Sequence, residues 1–263
     1  MKTLSPNLLV KDLGKGNSVA TSFVKALYRK LMSNKDPKVT VMLSVWKKHF
    51  EEVCGYRIQE PKFDLTQIER SFQVESPCHF EKLLFSIHTY YALIVKLLAF
   101  RALRFYVTGQ EMSLSEFTSH DLDLLRAKLR EVESGKVFDH LGLVNFVEAD
   151  FFAWYLDAWD ENIATCVQKA IEILYSYKLI WNNQAQDLLR RLYYDLIPKN
   201  VRHRLGEYYT PKWLAQLVIS ETGFRGDPNL RFLDPGCGSG TFLVLLISKI
   251  KEQSELNGFD KSD

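Results

Sequence analysis

Several features are scarce in this sequence, and each scarcity excludes a class of protein. The four cysteines, Cys54, Cys78, Cys166 and Cys237, form no CxxC pair and no short, even spacing. That argues against a structural zinc or a disulfide framework and points to a reducing cytosol. No apolar run reaches the roughly 20 residues that a bilayer crossing needs. The most apolar stretch, Leu83–Val95, contains His88, stops at Lys96 and is soon followed by Arg101 and Arg104. A soluble, cytoplasmic protein with no membrane partner is therefore expected. The opening residues, MKTLSPNLLVKDLGKG, have neither an uninterrupted apolar core nor a small-residue cleavage site, so no secretory leader is expected. Repeats and low-complexity tracts are missing, and residues 1–200 hold no period-2 pattern of useful length. Net charge is small as well, at +2, which speaks against a protein that wraps nucleic acid wholesale. The total conceals an asymmetry: residues 1–50 hold ten Lys/Arg against two Asp/Glu, or +8, and the remainder carries −6.

What is present is the material of a folded protein. The 263 residues are 46% hydrophobic and 25% charged, enough for one large domain or two modest ones with a real core. Up to about residue 200 the pattern is helix after helix. Asn17 or Ser18 can cap a helix bearing Phe23, Leu27 and Leu31 at fourfold spacing. A second spans Val39–Cys54 and stops at Gly55. Ser76-Pro77 reads as the start of a helix running to Val107, apolar around most of its circumference and hence central. His88 then reads as a core histidine. Further helices are expected near 121–133, 146–158, 161–178 and 184–196.

After Pro198 the character changes. Lys199, Arg202, His203 and Arg204 form a basic cluster, with His203 expected at the surface. Leu205–Ala215, LGEYYTPKWLA, follows and leads into a helix, Lys212–Thr222, whose first turn Pro211 pre-sets. A turn-rich stretch from Gly223 to Asn229 precedes Leu230–Asp234, read as a short buried strand. Next come the glycine turn Pro235–Gly240, an apolar helix Thr241–Lys251 and a second strand, Leu256–Asp260. Strand, glycine turn, helix and strand make the opening of a doubly wound α/β domain.

Alternate glycines at 236, 238 and 240 let the main chain approach a ligand closely, because no Cβ intervenes. The helix that follows offers free N–H groups and the positive end of its dipole to a carboxylate or phosphate. Asp260, 20 residues beyond Gly240, can accept both hydrogen bonds of a ribose diol. A plain strand-to-helix turn is the competing reading. Thr210 offers a hydroxyl at a helix start, and Tyr208 or Tyr209 an aromatic face for a sulfonium. Core packing at the helix entrance would also explain the tyrosines. Cys237, with no histidine near it in sequence, is expected to be a small buried filler.

Asp234-Pro-Gly-Cys-Gly-Ser-Gly-Thr-Phe242 departs from the GxGxxG fingerprint and closely resembles motif I of S-adenosylmethionine-dependent DNA adenine-N6 methyltransferases, usually DPACGSGTF. Gly236 stands where alanine is usual. LGEYYTPKWLA resembles motif X of the same family, about 23 residues ahead of motif I, the order of one of its subclasses. HTYYALIVKLL, His88–Leu98, resembles the N-terminal helical part of restriction–modification methyltransferases less distinctively. The resemblance implies that Tyr208, Tyr209, Thr210 and Pro211 line the methionine end of S-adenosylmethionine. Asp234, Gly236, Gly238 and Gly240 would form its floor, and Asp260 would hold the ribose. The implied fold is mostly α: a helical domain over residues 1–198, then the βαβ start of a Rossmann-like methyltransferase domain over 199–263, incomplete.

The same family presents adenine to the methyl group with an [Asn/Asp/Ser]-Pro-Pro-aromatic loop. None of the eight prolines here follows another. No catalytic residue and no metal ligand is therefore assigned, and this chain is expected to be inactive alone. It would be the front of a longer enzyme or one part of a split one, with DNA and the missing methyltransferase and target-recognition segments as partners. A restriction nuclease module would fit the same system. Lys199, Arg202 and Arg204, beside the cofactor motif, are the candidate DNA contacts. The basic set from Lys25 to Lys48 is either a solvated helix face or a second contact with phosphates. A non-catalytic helical DNA-contacting or assembly subunit with a vestigial cofactor loop is the alternative. Methylation of RNA or protein glutamine is a third reading, disfavoured by GEYYTP ahead of motif I.

Overall fold

Helices begin in this chain where side chains can satisfy their free N–H groups. The structure, a computed structural model, describes residues 2–54, 65–110, 114, 117, 121–147, 151–178, 188–204 and 208–256. A two-residue strand β1, Lys2–Thr3, precedes α1, Pro6–Leu13, which Ser5 caps by accepting from Leu8 N at 3.3 Å. Of the two caps read from the sequence, Asn17 caps α2, Ser18–Ser33, through Val19 N at 2.8 Å. Then come α3, Pro37–Cys54, α4, Thr66–Phe72, and α5, Phe80–Thr108. Asp121 caps α6, Leu122–Glu133, which is followed by α7, Lys136–Asp139. A 3-10 turn, Phe151–Leu156, leads to α8, Glu161–Ser176, capped by Asp160. Strand β2, Tyr177–Lys178, pairs parallel with β1, Lys2 opposite Tyr177. Next are α9, Leu188–Leu196, α10, Lys199–Arg204, α11, Lys212–Glu221, and α12, Thr241–Leu256.

The chain divides into two compact units, Met1–Gly206 and Glu207–Asp263. In the first, α5 is the centre, with α2, α3, α6, α8, α9 and the 3-10 turn around it. Leu83, Leu84, Phe85, Ile87, Tyr90 and Ile94 are fully buried. Several of its buried polar side chains are held by partners, as burial favours. Lys96 Nζ lies 2.6 Å from Glu133 of α6, whose other oxygen accepts from Tyr155 at 2.9 Å. The Arg101 guanidinium donates to the carbonyls of Leu174 and Tyr177 and so closes the C-terminal end of α8. Tyr90 donates to the Leu13 carbonyl at 2.8 Å, and Trp154 donates to Thr89 at 2.8 Å.

At 29 residues, α5 is longer than the apolar stretch read from sequence, and by length and composition it could cross a membrane. Length therefore does not exclude a span for this helix, yet 78% of its most apolar window is buried in protein. Its start also differs from the Ser76-Pro77 expectation. Cys78 N donates to Glu69 at 2.8 Å and His79 N to the Tyr28 hydroxyl at 3.0 Å, holding the chain out of the helix until Phe80. The helix expected near 146–158 is the 3-10 turn instead. Trp154, Tyr155 and Leu156 are consecutive and all buried, which one face of a peripheral α-helix cannot achieve.

His88 lies among the rings of Trp46, Phe50, Phe152 and Tyr193, with its Nε2 3.4 Å from the Tyr193 hydroxyl. Burial among these rings lowers its pKa from 6.5 to about 4, because the imidazolium loses its hydration. Between those pH values the unfolded chain binds a proton that the folded chain refuses. Stability from this residue is thus complete above pH 6.5 and lost as pH falls toward 4, by up to about 3 kcal/mol. Urea unfolding between these pH values should show that slope in the wild type and a flatter one in His88→Leu. An identical slope in the variant would refute the assignment.

Candidate functional site

The second unit folds around a small apolar cluster: Ala215 and Ile219 of α11, Phe224, and Leu245 and Leu246 of α12. Phe224 meets Phe232 edge to face at 4.6 Å, and its carbonyl accepts from Lys249 at 3.2 Å. These contacts lay Phe232–Pro235 alongside the two helices. Among the described residues, Leu230–Asp234 belongs to no sheet, which corrects the strand expectation. A strand exists only as a ladder with a neighbour, and no described segment flanks this one. Of the second expected strand, Leu256 ends α12 and the rest, including Asp260, lies outside the described residues.

The glycine turn is tight. Gly240 N donates to the Cys237 carbonyl at 2.7 Å, and the Gly240 carbonyl accepts from Val244 N at 2.9 Å to start α12. Gly238 and Gly240 have φ of 51° and 76°, the left-handed region that glycine enters without strain. A Cβ on Gly238 would stand 3.6 Å from the Tyr209 ring. The two sequence motifs therefore meet: the tyrosine ahead of α11 faces the middle glycine ahead of α12. Tyr208 is exposed, Thr210 half-buried, and Pro211 holds the N-cap of α11 with its carbonyl accepting from Leu214 and Ala215.

Asp234 opens the turn. One carboxylate oxygen accepts from Gly236 N at 3.2 Å, and the other is buried with no hydrogen-bond partner among the described residues. A buried oxygen of that kind is costly and suits an incoming donor. Beside it is a cleft of about 270 Å³ lined by Val218, Ile219 and Thr222 of α11, Phe232–Pro235, and Phe242 and Leu246 of α12. The first turn of α12 contains no acidic residue, so no carboxylate of its own first turn offsets the positive end of its dipole. Sequence reasoning missed this cleft, whose apolar lining carries no spacing signal. Cys237 is exposed, which corrects the buried-filler expectation: among the described residues nothing covers the outer side of the turn.

The basic cluster before this unit is divided in its roles. Lys199 and His203 are exposed. Arg202 is buried, its guanidinium 3.8 Å from the Tyr194 ring and its Nε donating to the Ile197 carbonyl at 3.1 Å. In this conformation it faces its own unit. Of Arg204 only the helical backbone is described.

Gly238→Ala separates backbone strain from crowding, because 3.6 Å is ordinary contact whereas the left-handed φ costs a side chain about 1–2 kcal/mol. Hydrogen exchange of α12 amides should accelerate about tenfold in Gly238→Ala, with α5 unaffected. Unchanged exchange in α12 would show that the turn does not hold this conformation.

Residues 184–261 match the family model described as N-6 DNA Methylase. No curated protein and no solved structure matches the chain. The matched stretch contains α9 and α10 of the first unit, together with the Tyr208–Pro211 segment and the glycine turn. Over residues 184–261 the chain is thus similar to N-6 DNA methylases.

Proposed function

We propose that the chain is the N-terminal part of a site-specific DNA adenine-N6 methyltransferase, serving restriction–modification or phage defence in the cytoplasm. The observation that carries this is the meeting of Tyr209 with Gly238 next to an Asp234 oxygen that has no partner. The group that fits is S-adenosylmethionine, whose bound sulfonium would supply an electrophilic methyl. Asp234 would accept from its ammonium, and the uncompensated end of α12 would face its carboxylate. The Tyr209 ring would lie toward the sulfonium, with Tyr208, Thr210 and Pro211 completing that side. Gly236, Gly238 and Gly240 would keep the floor free of side chains, and Asp260 would hold the ribose diol.

Adenine N6 is a weak nucleophile, an amine conjugated into its ring, and it must leave the base stack to be methylated. Polar groups that hold the amine and an aromatic that stacks on the base are needed beside the methyl. No Pro-Pro-aromatic loop occurs in these 263 residues. We assign it to a downstream segment, in the same or a partner chain, with target recognition and any nuclease module. The exposed Leu230, Phe232 and Leu233, the last 88% accessible, support a sheet that continues in such a segment. The cofactor domain is then the Rossmann-like one, beginning near residue 199. Lys199 and Arg204 are retained as DNA contacts; Arg202 would have to leave Tyr194 to join them.

Calorimetric titration of S-adenosylmethionine into the chain joined to its natural downstream segment tests the reading. Saturable binding that Gly238→Val and Asp260→Ala weaken at least tenfold is expected. No heat in the joined protein would leave the loop vestigial and favour a non-catalytic subunit.

A further inference from the structure

The fold sorts the basic residues of the N-terminal region into two groups. Lys30 pairs with Asp160 at 2.6 Å, Lys47 with Glu81 at 2.8 Å, and Lys48 with Glu52 at 3.9 Å. Lys25, Arg29, Lys35 and Lys38 have no such acidic partner among the described residues, and all but half-buried Lys25 are exposed. Their placement is regular. Ser18, Ser22, Lys25 and Arg29 recur at four- and three-residue steps along one face of α2, the face opposite Phe23, Leu27 and Leu31. Lys35 and Lys38 continue this set around the corner into α3. The acids close by in sequence are already engaged: Asp12 accepts from Tyr177, and Asp36 accepts from Lys38 N at 2.8 Å. No acidic residue lies within α2 itself. Lys38 lies in the first turn of α3, where the helix dipole penalises a cation, so helix stability does not account for its charge.

We propose that this face of α2, with the corner into α3, is a track for the phosphates of double-stranded DNA, separate from the cofactor loop. From Ser18 to Arg29 the face runs about 16 Å along a rigid axis, carrying hydroxyls and cations, the donors that position a protein on a duplex backbone. It exposes no aromatic side chain on which an unpaired base could stack, which favours a duplex over a single strand. The inference rests on the DNA reading above but on different residues.

Fluorescence anisotropy of the 263-residue chain with a labelled duplex of arbitrary sequence, over a series of salt concentrations, tests it. Removing one cation from a phosphate should flatten the log–log salt dependence by about 0.9, so Lys25→Gln/Arg29→Gln should flatten it by about 1.8. Lys136→Gln/Lys178→Gln, removing equal charge from other elements, should leave it unchanged. An unaltered slope in the first pair, equal flattening by both pairs, no duplex binding, or tighter binding of single-stranded RNA or an acidic peptide would overturn the inference. S-adenosylmethionine binding, titrated as above, reports separately on the cofactor loop, so the two readings can fail independently.

Discussion

A helix as apolar and as long as α5 can exist in water only if protein covers it, and its polar side chains can be covered only if they are paired. The first unit is organised by that constraint. Lys96 needs Glu133, which fixes α6 against α5, and Glu133 in turn engages Tyr155 of the 3-10 turn. Arg101 reaches the last carbonyls of α8, where β2 begins and pairs with β1. Buried ion pairs seldom add much net stability, because desolvation offsets attraction, but losing one partner costs about 3–5 kcal/mol. Such pairs thus penalise other arrangements of the helices strongly.

The helices of this unit were legible because their signals are local. Asn17 announces α2 as a side-chain cap, and the fourfold spacing of Phe23, Leu27 and Leu31 marks its inner face. Legibility ended where distant partners decide. The start of α5 was misplaced because Glu69 and Tyr28 take the N–H groups of Cys78 and His79. Two-residue strands such as β1 and β2 have no pattern to detect, since their pairing depends on the chain returning 175 positions later. Nor could spacing show that Arg202 stacks on Tyr194 while Lys199 remains exposed.

At the candidate site, the strongest sequence signal was chemical rather than periodic. Glycines at 238 and 240 take left-handed conformations, and Tyr209 faces the first of them. The expected strand beside them did not form a ladder, because a strand is a property of a pair. Among its described residues the second unit buries five side chains, while Trp213, Leu217, Leu230, Leu233, Ile247 and Leu256 are exposed. Apolar exposure on this scale is large for so small a core. It accords with the proposed role as the opening of a larger cofactor domain.

That role is tested most directly by the N6-methyladenine content of DNA from a host without adenine methylation that expresses the chain with its natural downstream segment. Methyladenine at one recurring sequence, abolished by Gly238→Val, is the expected result. DNA free of N6-methyladenine, although both segments are expressed and folded, would contradict it.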